Sequence, residues 1–222
     1  MSFNLPKRQS DLLICFAVKE EAKFFRPNRA DFGDFEVLIT GMGRKNASQA
    51  IRAALPIVRP KLVLTCGFAG GLNPKLPLAT IVYDEDFDAE LGSELSDMGC
   101  VSGKFYCSKR VAVTAQDKNE LWLSTGADAV EMESSVIRTI CREFRIPSAT
   151  IRVILDDAHL DLPLDFNTLM TSDDKIDYVR LAWAVMTRPH KIPKLIDFQR
   201  QTVIAAQSLA STLHDLLKAR FC

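Results

Sequence analysis

Apolar positions in this chain fall into short runs divided by polar stretches and glycines. Residues 12–18 (LLICFAV) are one continuous apolar run, as expected of a short strand covered on both faces. Residues 19–25 follow as a helical turn. Residues 35–40 (FEVLIT) predict a second strand that ends in Gly41-Met42-Gly43, with a helix over 46–55 behind it. Pro56 and Pro60 bracket the next connection. Residues 62–66 (LVLTC) predict a third strand running into a glycine loop, 67–71, and residues 79–83 a fourth. The acidic stretch 84–103 reads as a solvated loop, and 111–114 as a further short strand. From 132 to 144 the period becomes helical, with Met132, Val136, Ile140 and Phe144 on one face. Residues 148–155 (SATIRVIL) are rich in β-branched side chains and predict a buried strand. A helix is expected over 178–186. A long one over 194–218 carries Leu195, Phe198, Thr202, Ala205, Leu209, Leu213 and Leu216 in one stripe.

Strands alternating with helices predict an α/β fold with a largely parallel central sheet. No repeat, low-complexity tract or linker divides the sequence, so residues 1–222 are expected to form one domain. Composition fits this picture. At 47% hydrophobic and 25% charged residues the chain is globular rather than disordered. Lys+Arg and Asp+Glu are both 28, so no global field attracts nucleic acid. The six cysteines include no C-x-x-C pair, which argues against zinc and for reduced thiols in a cytosolic protein. The polar start MSFNLPKRQSD is not a signal peptide. No apolar run approaches the roughly 20 residues of a membrane helix.

In open α/β sheets, ligands bind outside the carboxyl ends of the strands. Several candidate groups fall there: Glu20 and Glu21, Thr40-Gly41-Met42-Gly43, Gly67 to Gly71, and Asp156-Asp157. Val130-Glu131-Met132-Glu133-Ser134 opens the predicted helix. Singly each has an ordinary explanation. Glycines make turns, an Asp pair starts a turn, and glutamates in a first helical turn complement the helix dipole. Their convergence at one end of one sheet makes them a candidate site.

In that order, the glutamate pair, T-G-M-G, C-G-F-A-G-G-L, A-V-E-M-E-S and R-V-I-L-D resemble the nucleoside phosphorylase/nucleosidase superfamily. Within it the chain is similar to the methylthioadenosine/S-adenosylhomocysteine nucleosidases, from about residue 12 to 157. The segment LPLDFNTLM and the later TRPHKIPKL resemble a smaller branch, the hopanoid-associated phosphorylases, thought to act on an adenosylated lipid. The resemblance implies a three-layer sandwich and N-glycosidic cleavage of a purine nucleoside, with adenine preferred. It implies no cofactor or metal, and at least a homodimer.

It also implies roles. Asp156 would protonate the departing base, which requires a raised pKa. Glu21 would orient the attacking water, and Glu133 would hold the ribose hydroxyls and favour the cationic sugar of the transition state. Met132 would pack on the ribose, with Glu131 beside it. Gly41, Phe68, Ala69 and Gly70 would shape the pocket, and Arg44 with Gly43 would take phosphate if the nucleophile were phosphate.

Two departures from the family stand out. Phe68 replaces a usual serine, with Thr65 three residues before it, which favours water over phosphate. Val111 aligns where the nucleosidases place an aromatic residue on adenine. A nucleoside-binding protein without turnover is the alternative of a different class. Residues 161–170 read either as a loop or subunit contact packed on the core, or as an apolar wall for a bulky 5′ substituent. Arg188, Lys191 and Lys194 read as a solvated basic cluster, with membrane contact the sharper alternative.

Overall fold

The structure is a computed structural model. It describes residues 10–28, 32–171 and 189–221, together with 177, 180, 183, 186 and 187. Its strands are β1 (Leu12–Phe16), β2 (Phe35–Ile39), β3 (Leu62–Gly71), β4 (Ile81–Glu85), β5 (Val101–Ser102), β6 (Phe105–Cys107), β7 (Ala129–Glu131) and β8 (Ser148–Asp156). The helices are α1 (Gly43–Val58), α2 (Gly92–Asp97), α3 (Ala115–Thr125), α4 (Ser134–Glu143), α5 (Phe166–Leu169) and α6 (Ile192–Phe221). The strands form one sheet in the order β2-β1-β3-β8-β4-β5, with β7 joined to the end of β3 and β6 to β7. Pairing is parallel except at β4–β8 and β3–β7. This is the mixed, largely parallel sheet expected.

Both faces of the sheet are covered, and the alternation on β1 shows how. Leu12, Ile14 and Phe16 pack with Ala205, Leu209 and Leu213 of α6. Leu13 and Cys15 point the other way, onto Ala47, Ile51 and Leu55 of α1 and Ile137 and Ile140 of α4. The result is three layers, α6 on one side and α1 with α4 on the other. Among the described residues no helix is long and apolar enough to cross a membrane.

Several elements differ from the sequence reading. The glycines at 67–71 are strand, not loop: β3 continues through them because β8 pairs with them on one side and β7 with Gly70 and Gly71 on the other. The acidic stretch 84–103 is not a solvated loop. It holds α2, buries Leu91 and Leu95, and ties Asp84 and Asp86 to Arg138 of α4. Residues 111–114 form no strand; there the Val111 backbone bonds to the Asn167 side chain and Leu162 N–H donates to Val113. The helix expected from 132 begins at Ser134, since Glu131 still belongs to β7. Its buried face is Ile137, Ile140 and Cys141, while Phe144 is exposed. Pro56 lies inside the last turn of α1, and that helix ends at Arg59, which takes a left-handed conformation at φ 50°. The helix expected over 178–186 lies largely outside the described residues.

Candidate active site

The carboxyl ends of β1, β3 and β8 open on a cavity of ≈ 310 Å³. Of the residues singled out in the sequence, Glu21, Phe68, Ala69, Gly70, Val111, Glu131, Met132, Glu133 and Asp156 line it. A larger depression of ≈ 610 Å³ lies at the opposite strand ends, between Asp11, Lys61 and Arg220. Its charged side chains are not buried, so the smaller cavity is where chemistry is to be sought.

Arg152 holds the site together. It stands in the middle of β8 with 1% of its surface exposed. Its guanidinium lies 2.9 Å from Glu131, 3.5 Å from Glu133 and 3.8 Å from Glu21, and it also donates to Cys66 O and Thr65 Oγ1. A buried arginine is tolerated because carboxylates surround it. The sequence reading passed over it. The signal was one cation inside the apolar run IRVIL, with nothing in sequence to show its partners.

The three glutamates are not equivalent. Glu131 is saturated: it accepts the N–H groups of Glu133 and Ser134 and the Ser134 hydroxyl, and so caps α4. Glu21 accepts the N–H groups of Ala17, Val18 and Phe68. Burial pushes its carboxyl above the usual range, against the pull of Arg152 and these amides. Glu133 accepts only the Gly43 N–H, at 2.8 Å, besides its long contact to Arg152. Burial, with Glu131 and Glu21 nearby, raises it from 4.5 to about 7 even though Arg152 opposes the rise.

That shift has a sign. A carboxyl raised on folding adds stability that is full below its unfolded pKa and lost as pH rises through the folded one. Glu133→Gln never ionises. Relative to the wild type it is expected to gain about 3 kcal/mol between about pH 4.5 and pH 8, read from urea unfolding at several pH values. A difference that does not change with pH would refute the assignment.

Asp156 ends β8 and is 7% exposed. Burial raises its pKa, Lys118 lowers it, and Asp157 adds a smaller rise. Lys118 is the second cation missed in sequence; it lies on α3 with its Nζ 2.5 Å from Asp156 Oδ2. Asp157 makes a turn, accepting the His159 N–H.

At the Gly41-Met42-Gly43 turn only the methionine reaches the cavity. Gly41 and Gly43 do not line the cavity. Gly41 turns the chain at φ 84°, and the Gly43 N–H is taken by Glu133. The Arg44 guanidinium reaches the Ser135 hydroxyl on the exposed side and does not line the cavity. Met42 between them does line it, as does Arg110. Leu162, Phe166 and Phe198 form an apolar wall, with the two phenylalanine rings 5.7 Å apart. In the basic cluster Lys194 is exposed, and Arg188 lies outside the described residues.

Residues 81–176 match the model of the phosphorylase superfamily. The whole fold agrees with solved structures of nucleosidases at low identity. A futalosine hydrolase of Helicobacter pylori superposes with a TM-score of 0.66 at 15% identity, covering 96% of this chain and 98% of that one. A 5′-methylthioadenosine/S-adenosylhomocysteine nucleosidase of the same organism gives 0.67 at 14%, covering 96% and 99%. Over residues 81–176 the chain is thus similar to the phosphorylase superfamily. By sequence it is similar to the 5′-methylthioadenosine/S-adenosylhomocysteine nucleosidase of Glaesserella parasuis, 26% identical over 62% of this chain and 74% of the relative. The corresponding protein of Shewanella loihica is 24% identical over 61% and 74%.

In this chain the glycine of T-C-G-F has a steric reason. Gly67 has φ 151°, and a Cβ there would collide with both the Arg152 guanidinium and the Glu21 carboxylate. Gly67→Ala is therefore expected to cost about 2–4 kcal/mol, from strain plus overpacking at the charge cluster. Thermal unfolding measures this; a melting point within a degree or so of the wild type would contradict it.

Proposed function

We propose that this chain is a nucleosidase that cleaves the N-glycosidic bond of a purine nucleoside with water. The observation that carries the reading is the meeting of Asp156, Glu133 and Glu21 around one largely apolar cavity, with Arg152 buried behind the two glutamates. Asp156, raised by burial, donates a proton to the ring nitrogen of the departing base. Glu133 binds the ribose hydroxyls, and its charge favours the oxocarbenium-like sugar over the neutral substrate. Glu21, also raised, holds the water; its oxygen bonds to the anomeric carbon as the bond to nitrogen breaks, and Glu21 takes its proton.

Water is favoured over phosphate by charge. The Arg152 guanidinium is buried and already shared by three glutamates, and the glutamates that face the cavity repel a dianion. The wall of Leu162, Phe166 and Phe198 suits an apolar 5′ substituent, including the bulky, lipid-like kind. Val111 lines the cavity where the nucleosidases place an aromatic residue, and Asp156 favours a purine by protonating its ring nitrogen.

The test is base release from adenosine, a 5′-alkylthioadenosine, inosine and uridine, with and without phosphate, followed by chromatography. Release from the purine nucleosides alone, without phosphate and fastest for the alkylthio compound, is expected. Release only with phosphate would make the enzyme a phosphorylase. No release from any of them would make the chain a binding protein.

A further inference from the structure

The buried lysine beside Asp156 has no part in the mechanism above. Lys118 has 0% of its surface exposed. Its Nζ lies 2.7 Å from Asp157 O, 2.8 Å from Leu160 O and 2.5 Å from Asp156 Oδ2. The ammonium donates to the two carbonyls and forms a close ion pair with the carboxylate oxygen, which has no other hydrogen-bond partner among the described residues. Lys118 does not line the cavity, so it touches neither base nor sugar and can act only through Asp156.

This arrangement raises a problem for an acid catalyst. A cation against a carboxylate favours the ionised form, yet Asp156 must deliver a proton. The pair resolves it if the proton is shared. We propose that Lys118 is a positioning residue that stores the proton Asp156 passes to the leaving base. The inference rests on the nucleosidase reading. As the glycosidic bond weakens, one Nζ–H bond breaks and an O–H forms on Asp156; that O–H breaks in turn as an N–H forms on the base. Lys118 is left a neutral amine whose two remaining hydrogens still donate to Asp157 O and Leu160 O. The lost proton returns from solvent, for which a second depression of ≈ 550 Å³ reaches Asp156 beside His159 and Asp161.

The other charges around the pair do not supply this proton. On α3 the nearest titratable neighbour is Asp117, which caps its own helix through Thr114. After β8, Asp157 and Asp161 are bonded to the His159 and Ala115 amides, with His159 exposed next to them. On α6, Lys194 and Asp197 are exposed at the edge of the second depression. Across the cavity, Arg152 is held by its glutamates, and Arg110 stands exposed at the rim.

Sharing has a signature in pH. A pair holding one proton gives it up at a higher pH than the carboxyl would alone, because two sites compete to keep it. If Lys118 merely lowered the pKa of Asp156, removing it would shift the alkaline limb of activity upward. If it stores the proton, removal shifts that limb downward.

The experiment measures kcat and KM for base release from the best purine nucleoside across pH, with urea unfolding alongside. It compares the wild type with Lys118→Gln, Lys118→Arg and Asp156→Asn. Glutamine keeps donors for the carbonyls without a transferable proton, and arginine keeps the charge but does not deprotonate. Both are expected to lose about 10- to 100-fold in kcat, at nearly unchanged KM, with the alkaline limb about one pH unit lower or more. Wild-type kcat in Lys118→Arg, a limb that stays or rises in Lys118→Gln, or a loss confined to stability or KM overturns the proposal while the nucleosidase reading stands. If Asp156→Asn keeps the wild-type kcat, or the wild type releases no base, that reading fails and this inference with it.

Discussion

Arg152→Met is expected to destabilise the fold by about 3–5 kcal/mol near pH 7.5, the cost of removing one partner from a buried charge cluster. Methionine fills the space of the arginine stem, so the loss reflects charge rather than a cavity. Glu21, Glu131 and Glu133 would be left without a cation, all three buried. The size of the loss depends on pH in a definite direction. Arg152 lowers the pKa of both Glu21 and Glu133 in the wild type, against burial. Without it both carboxyls are raised further, so the folded variant holds its protons to higher pH. A group raised on folding gives stability that is lost as pH rises through its folded pKa. The deficit of Arg152→Met must therefore shrink on acidification toward about pH 5, where the carboxyls are protonated and the need for a counter-ion lapses. Urea unfolding at four or five pH values measures it. A deficit of constant size would mean that Arg152 contributes packing and not charge.

Asp156→Asn is expected to lower kcat for purine release by about 10²–10⁴-fold, the usual contribution of a positioned general acid. The amide keeps the size and polarity of the carboxyl, so KM is expected to change little. The alkaline limb of the pH profile should vanish with the proton that caused it. A loss expressed mainly in KM would instead make Asp156 a binding group.

The fold was readable because apolar runs and helical periods report burial directly. The runs at 12–18, 35–40 and 148–155 became β1, β2 and β8, and the stripe from Ala205 to Leu216 is the face α6 buries. What failed to read depended on partners far away in sequence. The glycines after Cys66 look like a loop until β7 and β8 are known to flank them. The acidic stretch looks solvated until Arg138 arrives from α4. The site followed the same rule. Asp156, Glu133 and Glu21 sit next to strand ends and could be found by position. Arg152 and Lys118 could not, because a buried cation is recognised only by the anions the fold brings to it.

The bare backbone of β3 also sets how such a pocket can change over evolution. At Gly67 a Cβ would strike Arg152 and Glu21, and at Gly70 it would come within 3.1 Å of Val130 and 3.6 Å of Asp156. The floor is thus closed to gradual tuning by substitution, since almost any new side chain there disturbs the charged groups. Novelty has to enter from the rim. Val111 is held by Asn167, while Phe166 and Phe198 meet across α5 and α6, and each can change without touching the charge cluster. Lineages that share this floor would share their chemistry and differ in the size of what they admit.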